Sequence, residues 1–401
     1  MTTSDTGAKT PARGATTGAE RKLTPDLARG FMLLLIAMAY APMYVTSGDV
    51  GGYGSRPDGG AADQAVSFLA AIFLENRAFP LFGILFGYGM VMLTTRQRSA
   101  GTSEAESRRL LRRRSLWLLA FGLVHAALVF PGEILAAYGV GGLILGWLLF
   151  RPESTVRRAT AVLSVYYAVV VMLGGLAMGV AMSAADGEEQ AWSIPGYLSA
   201  EDWITRIAGA PVTPLMNTFF FPLLILVTLG IWIGKRRLLD SPDEHRDTLK
   251  RLAIAGISVS ALGGLPLALA GAGAFDLGGG GYGLLLGVQI LTGICGGVGY
   301  AAAFGLLGAR LERRRGPITR ALAAAGQRSL SVYLFASVGV AVVLHPDLLG
   351  VGDHVYRAGA MAIALGVWLL GVLLARWLDA AGRRGPVDAL LRKLVYRGVK
   401  A

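Results

Sequence analysis

Ten apolar stretches, each long enough or nearly so to cross a lipid bilayer, leave this chain very few ways to fold. They lie at residues 28–46, 79–95, 115–131, 133–150, 159–183, 214–234, 252–272, 283–308, 329–345 and 358–378. About 20 helical residues match a hydrocarbon core of roughly 30 Å, where every backbone N–H and C=O must be satisfied inside its own helix. Composition points the same way, with 54% hydrophobic against 16% charged residues and a mean hydropathy of +0.54. The expected fold class is therefore all-α: a polytopic integral membrane helical bundle of about ten transmembrane helices.

Basic residues test that count independently, because Lys and Arg collect in cytoplasmic loops. Thirty-four of the 38 fall in alternate gaps or at the chain ends, and only Arg56, Arg77, Arg206 and Arg357 fall on the other side. That other side holds Asp49, Asp58, Asp63, Asp186, Glu188, Glu189, Glu201, Asp202, Asp276, Asp347 and Asp353 instead. Both termini are expected to be cytoplasmic. The net charge of +12 then reflects loops facing an anionic leaflet, where each basic residue gains about 1 kcal/mol, and nucleic-acid binding is not expected. Runs such as RRLLRRR (108–114) read as topology anchors, with phosphate binding as the alternative.

Residues 1–24 carry no apolar run and read as a disordered cytoplasmic tail. A first membrane region of six helices is expected over 25–239, and a second, with helices 7–10 and a basic cytoplasmic tail, over 240–401. The first apolar stretch lacks a small-residue cleavage site, so it reads as a retained span rather than a signal peptide. One cysteine, Cys295, excludes an internal disulfide framework and a thiolate metal cluster.

An ionisable group inside a span is costly and marks a functional candidate. His125 lies eleven residues beyond Arg114, about 16 Å into the membrane at 1.5 Å per residue. The Pro131–Gly132 turn makes the third and fourth helices a tight hairpin, with Glu133 at the turn and Tyr138 descending to the depth of His125. An imidazole, a phenol and a carboxylate opening outward suit general-base chemistry on a hydroxyl or amine. A plain hydrogen bond from His125 to a neighbouring helix is the other reading. Glu75 and Arg77, in FLENRAFPLFGILFGYG, either line a substrate site or form a local interfacial salt bridge. Arg29 pairs with Asp26 three residues before it, or meets a cosubstrate's phosphate. His345, Asp347, Asp353 and His354 share one outer loop, but their spacing fits no metal motif, so a solvated loop and no metal are expected. His245 reads as an exposed loop residue. The segment 184–213, with Trp192, Tyr197 and Trp203, reads as an amphipathic stretch at the outer interface, and DLGGGGYG (276–283) as a flexible outer turn.

Several segments together resemble the YeiB-like family of bacterial polytopic membrane proteins, DUF 418. They are the opening DLARGFMLLLIAMAY, the FLENRAFPLFGILFGYG segment, the hairpin RRSLWLLAFGLVHAALVFPGEILAAYGVGGLIL, and the closing AAAGQRSLSVYLFAS and RRGPVDALLRKLVYRG. The likeness runs over most of the chain, and the segment by which the family is usually defined falls in residues 240–400. The chain departs from the family's pattern at Tyr40, Glu133, Ser331 and Asp388, where Asn, Asp, Thr and Glu are frequent; Tyr40 removes an amide. The family has no established general activity. Its distant similarity to ten-helix membrane acyltransferases implies acyl-CoA as a cytoplasmic cosubstrate, a small-molecule or glycan acceptor outside, no bound cofactor, and a bacterial plasma (inner) membrane location. The resemblance thus implies an acyltransferase; a transporter or flippase for a small molecule or lipid, and a non-catalytic scaffold or sensor in contact with membrane lipids, are the alternatives.

Overall fold

A computed structural model describes residues 23–45, 60–184, 194–275 and 277–397. Of the expected tail, residues 1–22 lie outside the described residues, whereas Leu23 and Thr24 already belong to the first helix. Asp49, Arg56, Asp58, Asp186, Glu188, Glu189, Trp192 and Asp276 also lie outside them. Among the described residues the regular structure is entirely helical.

In chain order the helices are α1 Leu23–Tyr40, α2 Gly60–Phe73, α3 Ala78–Ser99, α4 Glu104–Leu128, α5 Leu135–Leu145, α6 Glu153–Ala184, α7 Ala200–Gly209 and α8 Val212–Phe219. There follow α9 Leu223–Lys235, α10 Arg246–Gly271, α11 Gly279–Glu312, α12 Pro317–Gln327, α13 Ser329–Leu344, α14 Arg357–Ala380 and α15 Pro386–Val395. Short 3-10 turns extend α1 to Tyr44 and α5 to Phe150.

Six of the described helical stretches are long and apolar enough to cross a membrane, and eight if two bent pairs count as one span each. The pair α7–α8 with α9 bends by 58°, and α12 with α13 by 89°. The ten stretches of the sequence are these eight plus α4 and α5. Arg112, Arg113 and Arg114 interrupt α4, leaving Ser115–Leu128 as its apolar arm, about 21 Å long. Leu135–Phe150 is likewise too short to count. The two arms therefore form a short hairpin set among full-length helices. Helix α2 escaped the hydropathy reading because its 14 residues are too few to register as a span of their own.

Helices from both ends of the chain share one apolar core, in which α1 contributes Met32 and Leu33, α3 Leu81 and Ile84, α9 Leu226 and Ile231, and α13 Val340 and Leu344. Apolar helices gain little hydrophobic driving force from meeting in lipid, so close backbone approach has to hold them. At the α1–α12 contact a Cβ on Gly30 would overlap the Leu322 carbonyl, and one on Gly326 the Asp26 carbonyl. The Gly of DLARG thus packs on the segment that ends in AGQRS, nearly 300 residues later. Trp368 of α14 adds a hydrogen bond to the Gly30 carbonyl at 3.1 Å.

The two closing segments also meet. Asp388, near the start of α15, accepts the Leu330 and Ser331 N–H groups at 3.3 and 3.0 Å and the Ser331 hydroxyl at 2.7 Å. A carboxylate at the first turn of α13 satisfies donors that the helix itself cannot. Burial nevertheless raises the Asp388 pKa above its ordinary 3.8. Arg328 reinforces the joint through the Arg383 carbonyl and Asp379.

Candidate active site

Helix α4 starts on Ser103, whose hydroxyl accepts the Glu106 N–H at 3.3 Å, and ends at Leu128, so His125 sits in its last turn. The chain reverses through Pro131 and Gly132, and Glu133 turns back into the protein. Its Oε1 accepts the Leu135 N–H at 2.5 Å and its Oε2 the Ala136 N–H at 2.8 Å. The free N–H groups and positive end of α5 are natural partners for an anion. They explain how a carboxyl group reaches 0% exposure here. Gly122 permits the close turn, since a Cβ there would overlap the Ala136 nitrogen.

Helix α13 completes the site from the other side. His125 Nε2 lies 2.9 Å from Ser337 Oγ, and Nδ1 lies 3.7 Å from Glu133 Oε1. The imidazole is 4% exposed, and Nδ1 has no hydrogen-bond partner. Tyr333, one helical turn before Ser337, donates to Glu133 Oε1 at 3.2 Å and sets its ring 5.4 Å from the imidazole. Tyr40 of α1 neighbours Ser337. If Ser337 donates to Nε2, Nδ1 carries the proton and faces the carboxylate, an assignment made from the surroundings.

Of the residues singled out from sequence, His125 and Glu133 come together, and Tyr138 does not join them. Its hydroxyl donates to the Phe79 carbonyl at 3.3 Å, and its ring packs against Phe79, Phe82 and Phe86. The phenol beside the imidazole is Tyr333. Tyr333 and Ser337 are four apart in SLSVYLFAS, so they share one face of an otherwise apolar helix. That spacing was the available signal.

Glu75, Asn76 and Arg77 form the turn between α2 and α3, where Asn76 takes a left-handed φ of 55°, a conformation Asn tolerates. Glu75 pairs with Arg357. Arg77 is 0% exposed and donates to Ser260 Oγ at 2.9 Å, to the Ser260 carbonyl at 2.5 Å, and to the Ala71 and Glu75 carbonyls at 3.1 and 2.6 Å. Asn76 donates to Gln289 at 2.9 Å. These contacts tie α2 and α3 to α10, α11 and α14, away from His125. Arg29 pairs with Asp26 at 3.5 Å and has Arg114 as a charged neighbour. It lies beside Arg114, midway along α4 and about 16 Å along the helix from His125.

Nor does the hairpin open directly outward. The Val129 carbonyl at its tip accepts from the Tyr197 hydroxyl at 3.1 Å and from Arg206 at 3.4 Å, so the described segment 194–209 roofs the site. Arg206 also stacks 3.8 Å over the Tyr197 ring. Leu198, Ile204 and Ile207 of the roof are exposed, as an amphipathic interfacial segment requires. His345, expected in a solvated loop, is buried instead. Its Nδ1 accepts the Asp347 N–H at 3.1 Å and its Nε2 faces the Pro195 carbonyl at 3.3 Å, while His354 is exposed. Among the described residues no three His, Cys, Asp or Glu side chains converge as a metal site.

Comparison with known proteins adds a family. Residues 233–398 match the family model described as "Protein of unknown function (DUF418)". The chain is 26% identical over 360 residues to the uncharacterized protein YxaH of Bacillus subtilis (strain 168), covering 84% of this chain and 83% of that one. It is 27% identical over 332 residues to the uncharacterized protein YeiB of Escherichia coli (strain K12), covering 79% and 81%. A shorter match, 32% over 126 residues, links it to an uncharacterized 39.9 kDa protein in the amylase 3'region of Bacillus acidopullulyticus, covering 31% and 33%.

Proposed function

Because the chain belongs to the DUF418 family, with residues 233–398 matching the family model, and because its apolar helices make it a multi-pass membrane protein, we propose that it is a membrane acyltransferase. The carrying observation is the His125 imidazole, placed 2.9 Å from a hydroxyl on one nitrogen and 3.7 Å from a carboxylate on the other. A hydroxyl held against a neutral imidazole, with an acid oriented toward the opposite nitrogen, is the arrangement general-base chemistry needs. His125 takes the proton of an attacking hydroxyl or amine, a bond forms to the acyl carbon of a thioester, the C–S bond breaks, and the imidazolium returns the proton to the leaving thiolate. Glu133 favours that imidazolium.

The donor is acyl-CoA, approaching from the cytoplasmic side of a bacterial plasma membrane, and the acceptor is a small molecule or glycan on the outer side. A cavity of about 280 Å³ lined by Arg108, Arg112, Leu111 and Trp147, at the basic end of α4, supports an anionic donor. Transport has one observation of its own, the helix pairs bent by 58° and 89°, since transporters build sites at broken helices. Export without acyl-CoA and without a modified product would favour that reading.

The test is label transfer from radiolabelled acetyl-CoA into cell-envelope material by membranes containing the protein. Mass spectrometry of envelope and metabolites from deletion cells locates the missing acyl group. His125→Ala should lower transfer by at least about 10²-fold while the purified protein still elutes as a folded species; full activity in that variant would refute the assignment.

A further inference from the structure

We propose that Ser337 is itself the first acceptor, so that the acyl group passes through a covalent ester on its Oγ before reaching the final acceptor. This rests on the acyl-transfer reading and adds a nucleophile to it. Serine, imidazole and carboxylate come from three separate segments, α13, α4 and the hairpin turn. They stand in the order nucleophile, base and orienting acid, at 2.9 and 3.7 Å. Such a set is recognised by geometry and roles rather than by sequence position, and in the absence of substrate its hydrogen bonds are often long.

A Ser–His bond that served packing alone would leave its surroundings satisfied. Here His125 Nδ1 and the Tyr44 hydroxyl have no hydrogen-bond partner, and the Tyr40 hydroxyl has Ser337 as its hydrogen-bonding neighbour. Phe130 at the hairpin tip holds both tyrosines, with ring centroids 4.9 and 5.9 Å away. Buried polar groups normally find partners, so an unpartnered imidazole nitrogen beside the Ser337–His125 pair marks a place prepared for another molecule. The Tyr40 O–H, next to Ser337, is a donor suited to the oxyanion that develops when a serine attacks a carbonyl.

The chemistry balances in two halves. In the first, the Ser337 O–H proton moves to His125 Nε2, Oγ bonds to the acyl carbon of the thioester, the C–S bond breaks, and the thiolate leaves with the proton from His125. In the second, an acceptor hydroxyl or amine gives its proton to His125 and bonds to the same carbon. The C–Oγ bond then breaks, and Ser337 recovers its proton. Net, a thioester and an acceptor become an acyl product and a free thiol. A donor from one side and an acceptor from the other then never need to occupy the site together, which is the value of a two-step route.

The full-length protein in detergent is incubated with radiolabelled acetyl-CoA and no acceptor, and separately with a serine-directed fluorophosphonate. Label from both reagents on the peptide containing Ser337 is the expected result. Ser337→Ala should lower it by at least about 10³-fold, and Ser337→Cys should keep an acyl label that neutral hydroxylamine releases. Glu133→Gln should retain the label but slow its appearance and alter its pH profile, as befits a positioning residue. Transfer to envelope acceptor that persists in Ser337→Ala, with no label in the wild type, overturns the covalent step and leaves the acyltransferase standing. Phosphonate on Ser337 without acyl label overturns the acyl-CoA reading instead. Absence of both labels from a folded wild-type protein overturns the nucleophile.

Discussion

Two of the turns that bury charged or titratable side chains treat them differently. At the α2–α3 turn, Arg77 spends its donors on Ser260 Oγ and on the carbonyls of Ser260, Ala71 and Glu75. The carbonyls of Ser260 and Ala71 are fixed by helix geometry and that of Glu75 by the turn itself, so the cation works as a rivet. At the α4–α5 hairpin, Glu133 is equally well held, but His125 keeps an unpartnered Nδ1. A buried polar group costs free energy unless it is bonded. Leaving His125 Nδ1 unbonded therefore gives up stability, whereas the Arg77 guanidinium is satisfied, even though Glu75 Oε2 in the same turn has no hydrogen-bond partner.

The sharpest way to break this comparison is Arg77→Met. It strands several buried acceptors, each worth about 1–3 kcal/mol, and should give the largest loss of thermal stability in detergent. A variant that melts with the wild type would remove the rivet. Glu133→Gln comes next: an amide keeps one acceptor but turns a donor toward an N–H of α5, costing about 1–3 kcal/mol. Its transfer rate should fall further than that stability loss explains, as assays at a temperature where both proteins are folded will show.

The smallest effect belongs to Asp388, outside the membrane-spanning helices. Burial raises its pKa above 3.8, so its contribution to stability is fully present below that value and is lost as pH rises through the raised one. Melting temperature measured across mildly acidic pH should decline with this step in the wild type, and Asp388→Asn should flatten it. An identical pH dependence in both would show that the carboxyl is not the source.

Much of the architecture was legible because lipid imposes a simple rule on sequence. Eight of the ten apolar stretches correspond to spans or bent spans. The remaining two, α4 and α5, fall short of a full apolar span because the Arg112–Arg114 run interrupts one and the other is short. Helix α2 was missed because its 14 residues fall short of a span, although Ala71 and Ile72 pack it against Ala268 of α10. At the site, His125 and Glu133 stood out as polar residues in and beside an apolar run. Ser337 did not, since a serine in a membrane helix ordinarily bonds its own backbone and carries little meaning alone.

By itself, then, the sequence determined that the chain is a helical membrane bundle, which residues are too polar to lie in it without cause, and where α4 and α5 turn back on each other. These follow from solvent and from local spacing, which act along the chain. Only the tertiary structure decided that Tyr333 rather than Tyr138 meets the imidazole, that Ser337 faces Nε2 across 212 positions, and that Glu75 and Arg77 serve other helices. Such pairings depend on the rotation of each helix about its axis, which close contacts at residues such as Gly30, Gly122 and Gly326 set and which periodicity along one helix leaves open.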